Sequence, residues 1–399
     1  MQMRLSERVL NMPASPIRKL MPYANAAKAQ GRHVYHLNIG QPDIKTPEGM
    51  LNALKNLDMS VIAYGPSEGL AEYREALPDY YARHNIHIQP EDILVTTAGS
   101  EAIIFTMMAI ADPGDEIIIP EPFYTNYNGF ADMGSIRIVP LTTKAEEAFA
   151  LPPREVIESK ITNRTRAIMV CNPGNPTGAV YTRKEVEMLV DLAKQYNLFL
   201  VADEVYREFV YDGYKHTSVL EYPEIGDRAI MVDSVSKRYS ACGARIGCII
   251  SKNQQLIQNI LKMGQARLCP PTIEQIAAKA ALDTPNSYFE EVLQEYQTRR
   301  NLVYEALRDI PGVICEKPRG AFYVIAKLPV ENAEDFAIYL LEHVHVNNET
   351  VMIAPAAGFY ATPGVGQDEV RIAYVLNTKD LANAMSILKI GLEQYNANR

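Results

Sequence analysis

The sequence predicts an α/β protein. Its mostly parallel central sheet is covered by helices on both faces, with a smaller α+β domain attached. Three observations lead there. Over roughly residues 60–280, short apolar strand-like runs alternate with helical segments, as in strands joined by crossover helices. The segments richest in reactive side chains fall just past those runs, where such sheets bind ligands. At 399 residues the chain is too long for one small core and fits two or three domain-sized units.

Composition narrows the function classes. Hydrophobic residues make up 47% and charged residues 22%, ordinary for a globular protein. A net charge of −9 argues against non-specific binding to nucleic acid or anionic membranes. No apolar run is long enough to span a bilayer. The opening MQMRLSERVLNMPASPIRKL has no continuous apolar region, so no signal peptide is expected. The cysteines, at 171, 242, 248, 269 and 315, show no C-x-x-C spacing and read as reduced thiols in a cytoplasm. The histidines form no ligand cluster, and no metal is expected.

Taken in order, Ser15-Pro16 is expected to open a helix with a stripe of Ile17, Leu20, Tyr23, Ala24 and Ala27. Residues 33–39 alternate like a strand that ends at the Gly40-Gln41-Pro42-Asp43 turn. A short helix is expected over 47–58, a loop at Ala63-Tyr64-Gly65-Pro66, and a helix over about 69–84. The buried strand 92–97 leads to Ala98-Gly99-Ser100 and an apolar helix. Strand, glycine turn and helix together offer backbone N–H groups to an anion. The strand 116–120 precedes Phe123, Tyr124 and Tyr127, aromatics suited to stack on a flat ring.

A strand is expected over 136–141 and a helix within the charged stretch 142–165. The strand 166–171 runs into Asn172-Pro173-Gly174-Asn175-Pro176-Thr177-Gly178, a rigid loop. After a helix over 182–196, the buried strand 198–202 ends in Asp203. A carboxylate there is costly unless a cation meets it. Helices over 253–282 break at Cys269-Pro270-Pro271, and an amphipathic helix covers 287–309. A domain boundary is placed near 285. Beyond it come a strand over 318–324, a helix over 333–343, a strand and turn over 352–358, a strand over 369–374 holding Arg371, and a last helix over 378–396. A guanidinium among apolar residues suits bidentate binding of a carboxylate.

The stretch SVSKRYSACGARIG, residues 234–247, carries the most chemistry. Lys237 in a turn after a buried strand can be a nucleophilic amine. Ser234, Ser236 and Arg245 suit an oxyanion such as phosphate. An amine beside a phosphate site suggests a Schiff base with pyridoxal phosphate.

Ser234-x-x-Lys237 with Gly243-x-Arg245-x-Gly247 resembles the Schiff-base signature of the class I/II aminotransferases, of the aspartate aminotransferase-like subgroup. Asn172-Pro173-x-Asn175-Pro176-Thr177-Gly178 is similar to a second motif of that family. The resemblance covers nearly the whole chain. It implies fold type I of the pyridoxal phosphate enzymes, with a large domain at 48–285 and a small domain formed by 1–47 and 286–399. It also implies roles. Lys237 carries the cofactor and is the catalytic base. Asp203 pairs with the ring nitrogen, Asn175 and Tyr206 contact the phenolic oxygen, and Tyr124 covers one ring face with Val205 on the other. Phe123 is the alternative to Tyr124. Gly99, Ser100, Ser234, Ser236, Arg245 and Tyr64 hold the phosphate, Tyr64 reaching across a homodimer into the neighbouring site. Arg371, Asn175 and Gly40 bind the substrate.

The implied reaction is ping-pong transamination of an L-amino acid with a 2-oxo acid, aspartate and 2-oxoglutarate being the first choice. Arg18, Arg137, Lys144 and Arg267 are the candidates for a second substrate carboxylate. Aromatic amino acids, kynurenine or alanine are alternative substrates. A carbon–sulfur lyase on the same scaffold shares every motif. A non-catalytic regulator with an added DNA-binding region is disfavoured by the acidic charge.

Overall fold

A computed structural model of the chain describes residues 3–397. Its strands are β1 (His33–His36), β2 (Ile93–Thr97), β3 (Glu116–Glu121), β4 (Arg137–Thr142), β5 (Thr165–Cys171), β6 (Phe199–Asp203), β7 (Ala229–Ser234), β8 (Ile246–Ile250), β9 (Tyr323–Lys327), β10 (Glu349–Met352), β11 (Ala354–Pro355) and β12 (Glu369–Ala373). Seven of them form one sheet in the order β2-β8-β7-β6-β5-β3-β4. Pairing is parallel from β7 to β4, and β8 runs antiparallel to both neighbours.

Strand alternation explains the two covered faces. Ile118 and Met231 join one apolar cluster, while Ile117, Ile119, Ile230 and Val232 join another. Period-two side chains thus feed separate cores on opposite faces, and a helix layer buries each. β3 and β5 are neighbours, and the strand sequence departs from them in opposite directions, to β4 on one side and to β6 and β7 on the other. Such a switch point opens a crevice at the carboxyl ends of the strands. Because β8 is reversed, its first residues lie at that same edge. Thr97 pairs with Ile246, and Ser234 with Gly247.

A three-stranded antiparallel sheet, β11-β12-β9, and the parallel pair β1-β10 stand apart from the large sheet. They share a core with the helices Asn286–Arg308, Ala333–His343 and Thr378–Ala397. Leu340, Phe322 and Ile372 are fully buried there.

Several local expectations change. The helix expected from Ser15 begins at Met21, because residues 16–20 form turns, and a shorter helix, Glu7–Asn11, precedes it. The charged stretch 142–165 holds only a single short helix, Arg154–Glu158, and a 3-10 turn. The strand expected at 318–324 starts at Tyr323. Pro318 and Gly320 before it lie in a loop that touches Val210 through one bridge. Residues 352–355 divide into the end of β10 and the short β11.

Candidate active site

The carboxyl ends of β2, β3, β5, β6 and β7 deliver their following loops to one cavity of about 390 Å³. Gly99, Ser100, Tyr124, Asn175, Asp203, Val205, Tyr206, Ser234, Ser236, Lys237, Arg245, Gly40 and Arg371 all line it. Phe123 does not. It is buried against Tyr127, ring centroids 6.0 Å apart, so Tyr124 is the aromatic available to a ligand. Tyr64 also lies outside the cavity and is 81% exposed.

One turn holds Lys237. Asp233 precedes it and Arg238 follows it, and Arg238 donates to Asp233 Oδ2 at 2.6 Å. Arg207 and the Tyr81 hydroxyl donate to the same oxygen. Burial raises the pKa of Asp233, but the two guanidinium groups outweigh it and hold the carboxyl below its usual range. A fully buried ion pair of this kind is costly to break from one side, so both ends of the lysine turn are fixed. Lys237 Nζ donates to the Gly40 carbonyl at 2.8 Å. A Cβ on Gly40 would come within 1.9 Å of the Tyr323 hydroxyl, so only glycine fits there.

The anion cradle lies beside it. Ser234 Oγ and Ser236 Oγ are 2.8 Å apart. The helix Ala98–Ile110 begins at the same edge, with Ala98 in the left-handed region at φ 64°. A Cβ at Gly247 would meet Gly99 N at 2.6 Å, so this glycine lets β8 close on the turn. Arg245 also has a left-handed backbone and donates to the Cys242 carbonyl at 2.9 Å. Serine hydroxyls, helix N–H groups and a guanidinium suit a phosphate dianion.

At the other side Asp203 is buried at the end of β6. The Tyr127 hydroxyl donates to its Oδ2 at 2.7 Å. Burial pushes the carboxyl up to about 6, against the lowering effect of that hydrogen bond and of the Val205 N–H. Asn175 Nδ2 approaches the Tyr206 hydroxyl at 3.5 Å, and that hydroxyl is 2.9 Å from the Tyr323 hydroxyl.

Arg371 is 1% exposed. It donates to Asn175 Oδ1 at 3.1 Å and to the Asn38 carbonyl at 2.5 Å, between the rings of Tyr323 and Phe359. Its Nε has no partner, and burial lowers its pKa from the ordinary guanidinium value. A buried guanidinium with an unused N–H suits a carboxylate ligand.

Of the four cations considered for a second carboxylate, only Arg18 lines the cavity. Arg137 pairs with Glu116 and Arg267 with Glu101. In the sequence Tyr127 reads as one of three aromatics past a strand end, and the structure makes it instead the hydrogen-bond donor to Asp203. Tyr323 and Asn38 read only as strand positions.

A half-buried amine, a turn suited to an anion, a buried acid lacking a cation and a buried arginine with an unused N–H share one cavity, as an enzyme that works on amino acids through a bound aldehyde cofactor requires. The family model for aminotransferase class I and II matches residues 32–388, and the chain belongs to that family. It is a pyridoxal phosphate-dependent aminotransferase. An aspartate aminotransferase of Pyrococcus horikoshii is 31% identical over 396 residues, covering 98% of this chain and 97% of that protein. The aromatic-amino-acid aminotransferase 2 of Thermococcus litoralis is 30% identical, covering 98% and 99%. Among solved structures, an alanine aminotransferase from Pyrococcus furiosus superposes with a TM-score of 0.89 at 32% identity, covering 98% of this chain and all of that one.

The residues present fit the cofactor. Asp203 has no cationic side chain hydrogen-bonded to it, as a partner for the pyridine nitrogen requires. The serine hydroxyls and Arg245 fit its phosphate.

Proposed function

We propose that the chain transfers the amino group of L-aspartate to 2-oxoglutarate. Arg371, buried with an unused Nε in the same cavity as Lys237, carries the reading that the substrate is an amino acid. Relatives named aspartate aminotransferase support the substrate choice.

Pyridoxal phosphate supplies the aldehyde and the electron-accepting ring. Ser234, Ser236, Arg245, Ser100 and the backbone at Gly99 hold its phosphate, with Tyr64 of the partner subunit adding a phenol. Asp203, kept in place by Tyr127, carries the negative charge that keeps the ring nitrogen protonated. Asn175 and Tyr206 donate to the phenolic oxygen, while Tyr124 and Val205 enclose the ring faces. Lys237 would hold the cofactor's aldehyde. Its amine, once free, would serve as the base that takes up the substrate's α-proton. Arg371, with Asn175 and Gly40 nearby, orients the α-carboxylate. The net reaction would release the oxo acid of the donor and aminate a second oxo acid.

The exposed Val61, Ile62 and Tyr64 support a homodimer. The split between the large sheet and the two small sheets supports domains at 48–285 and at 1–47 with 286–399. Five free cysteines support a cytoplasmic enzyme. None of the helices described is long and apolar enough to cross a membrane.

Relatives named for aromatic amino acids and alanine favour a second reading with those donors. The test incubates the cofactor-loaded protein with single L-amino acids and 2-oxoglutarate, measuring glutamate and the new oxo acid. Fastest glutamate formation from aspartate supports the first reading. Faster turnover of alanine or an aromatic donor replaces it with the second. Ammonia without glutamate indicates a lyase.

A further inference from the structure

Four buried charges meet behind the Lys237 turn, and none of them lines the cavity. They are Glu204, Arg207, Asp233 and Arg238. Ions withdrawn from water are costly, and apolar side chains of similar volume fill a core as well. A carboxylate kept there at such cost is expected to hold something in place.

Asp233 holds both ends of the turn with one carboxylate. Its Oδ1 accepts from the Ser234 N–H at 2.7 Å. Its Oδ2 accepts from Arg238 and from the Tyr81 hydroxyl, each at 2.6 Å, and from Arg207 at 3.2 Å. Ser234 caps the four-residue helix Val235–Arg238, and Lys237 is its third residue. A single helical turn does not hold itself together in water. Here the Asp233 carboxylate closes it from the cap to the last residue, on either side of Lys237.

The same carboxylate ties the turn to Asp203. Arg207 spans from Asp233 to Glu204 Oε2, 3.4 Å away, and Glu204 is the residue after Asp203. Glu204 is fixed in turn by the Ser218 hydroxyl at 2.9 Å and the Val219 N–H at 3.1 Å. The helix Ala71–Ala82 supplies two rings to this frame. The Arg238 guanidinium lies 4.6 Å from the Tyr80 ring, and that of Arg207 lies 5.2 Å from the Tyr81 ring.

We propose that Asp233 is a positioning residue, whose carboxylate sets where the Lys237 amine stands relative to Asp203 and the serine cradle. The inference rests on Lys237 being the base, and not on which donor is preferred. A loosened turn leaves carboxylate binding at Arg371 intact but misplaces the amine that must meet the α-proton, and proton transfer is steeply sensitive to such misplacement.

The test uses the cofactor-loaded enzyme and follows the donor half-reaction through the cofactor's absorbance, with no oxo acid present. The wild type is compared with Asp233→Asn, Arg238→Lys and Asp212→Asn, the last breaking the buried Arg300 pair outside the cavity. Donors carry hydrogen or deuterium on the α-carbon. The pH midpoint of the cofactor's absorbance without donor, and the melting temperature, are measured on the same proteins. In Asp233→Asn the saturated rate is expected to fall roughly 10- to 100-fold, with half-saturation by donor within about threefold of wild type. Its hydrogen-to-deuterium rate ratio rises, and its absorbance midpoint moves by about half a pH unit or more. Arg238→Lys keeps the charge and shows the same changes in smaller measure, so position and not charge is their cause. Asp212→Asn melts lower but keeps the wild-type ratio and midpoint. If Asp233→Asn does not fold, Arg238→Lys decides alone. A wild-type ratio and midpoint in the folded Asp233 and Arg238 variants overturn the inference, whatever their melting temperatures, and so does an equal change in Asp212→Asn. A wild-type rate in Lys237→Ala overturns Lys237 as the base, and the inference falls with it.

Discussion

The Tyr127 hydroxyl, on the helix Asn126–Gly134, donates at 2.7 Å to Oδ2 of Asp203 at the end of β6, and both residues are buried. The bond aims the carboxylate and lowers its pKa against the raising effect of burial.

Tyr127→Phe removes that donor without changing the ring packing. Asp203 then needs a higher pH to ionise. The expected outcome is a loss of about tenfold in kcat near pH 6.5 that narrows as pH rises. A pH–rate profile checks it. A loss that is constant across pH would mean that Tyr127 acts on something other than the ionisation of Asp203.

Asp203 also links pH to stability in the cofactor-free protein. Its folded pKa of about 6 exceeds the ordinary 3.8, so the folded state binds the proton more tightly than the unfolded one. Its contribution is therefore favourable at low pH and is lost as pH rises through about 6. The gap corresponds to about 3 kcal/mol. Asp203→Asn escapes this penalty. Without cofactor, it is expected to melt a few degrees above the wild type at pH 7.5 and level with it near pH 4. Thermal melts at the two pH values decide the matter, and an equal gap at both rules out the desolvated carboxylate as the cause. With cofactor, the variant should lose most activity.

Arg371 presents a planar fork between two rings, and a lysine retains the charge without the fork. Arg371→Lys is expected to lower kcat/KM by roughly 100-fold for every amino acid donor, because all share the α-carboxylate. Steady-state kinetics with two donors of different side chains is the check. A loss confined to one donor would shift Arg371 to side-chain recognition.

Tyr64 is 81% exposed and lies beside Val61 and Ile62, which are 71% and 68% exposed. If it reaches the phosphate of a neighbouring subunit, Tyr64→Phe weakens cofactor retention by roughly tenfold. The dimer itself should persist in sedimentation. Dialysis followed by cofactor titration measures the effect, and unchanged retention would remove Tyr64 from the phosphate site.

Much of the site was legible because its residues are short-range. Lys237, Ser234, Ser236 and Arg245 lie within twelve residues on one turn, and Asn175 and Asp203 each end a recognisable buried strand. The apolar strand runs between residues 93 and 250 were legible for the same reason, since a continuous apolar run bounded by turns is a local property. The strand expected at 318–324 shifted because the Gly320 N–H donates to the Gly178 carbonyl and the Ala321 N–H to the Phe209 carbonyl, contacts made far along the chain.

The sequence by itself determined the fold class, the lysine motif and the family, because each is written in neighbouring residues with constrained backbone geometry. The tertiary structure decided the rest. It paired Tyr127 with Asp203, pressed Tyr323 against Gly40, chose Tyr124 over Phe123 and separated Arg18 from Arg137, Lys144 and Arg267. Those outcomes depend on which loops meet at the end of a sheet. That is set by strand order and by packing between residues hundreds of positions apart, which no local pattern encodes.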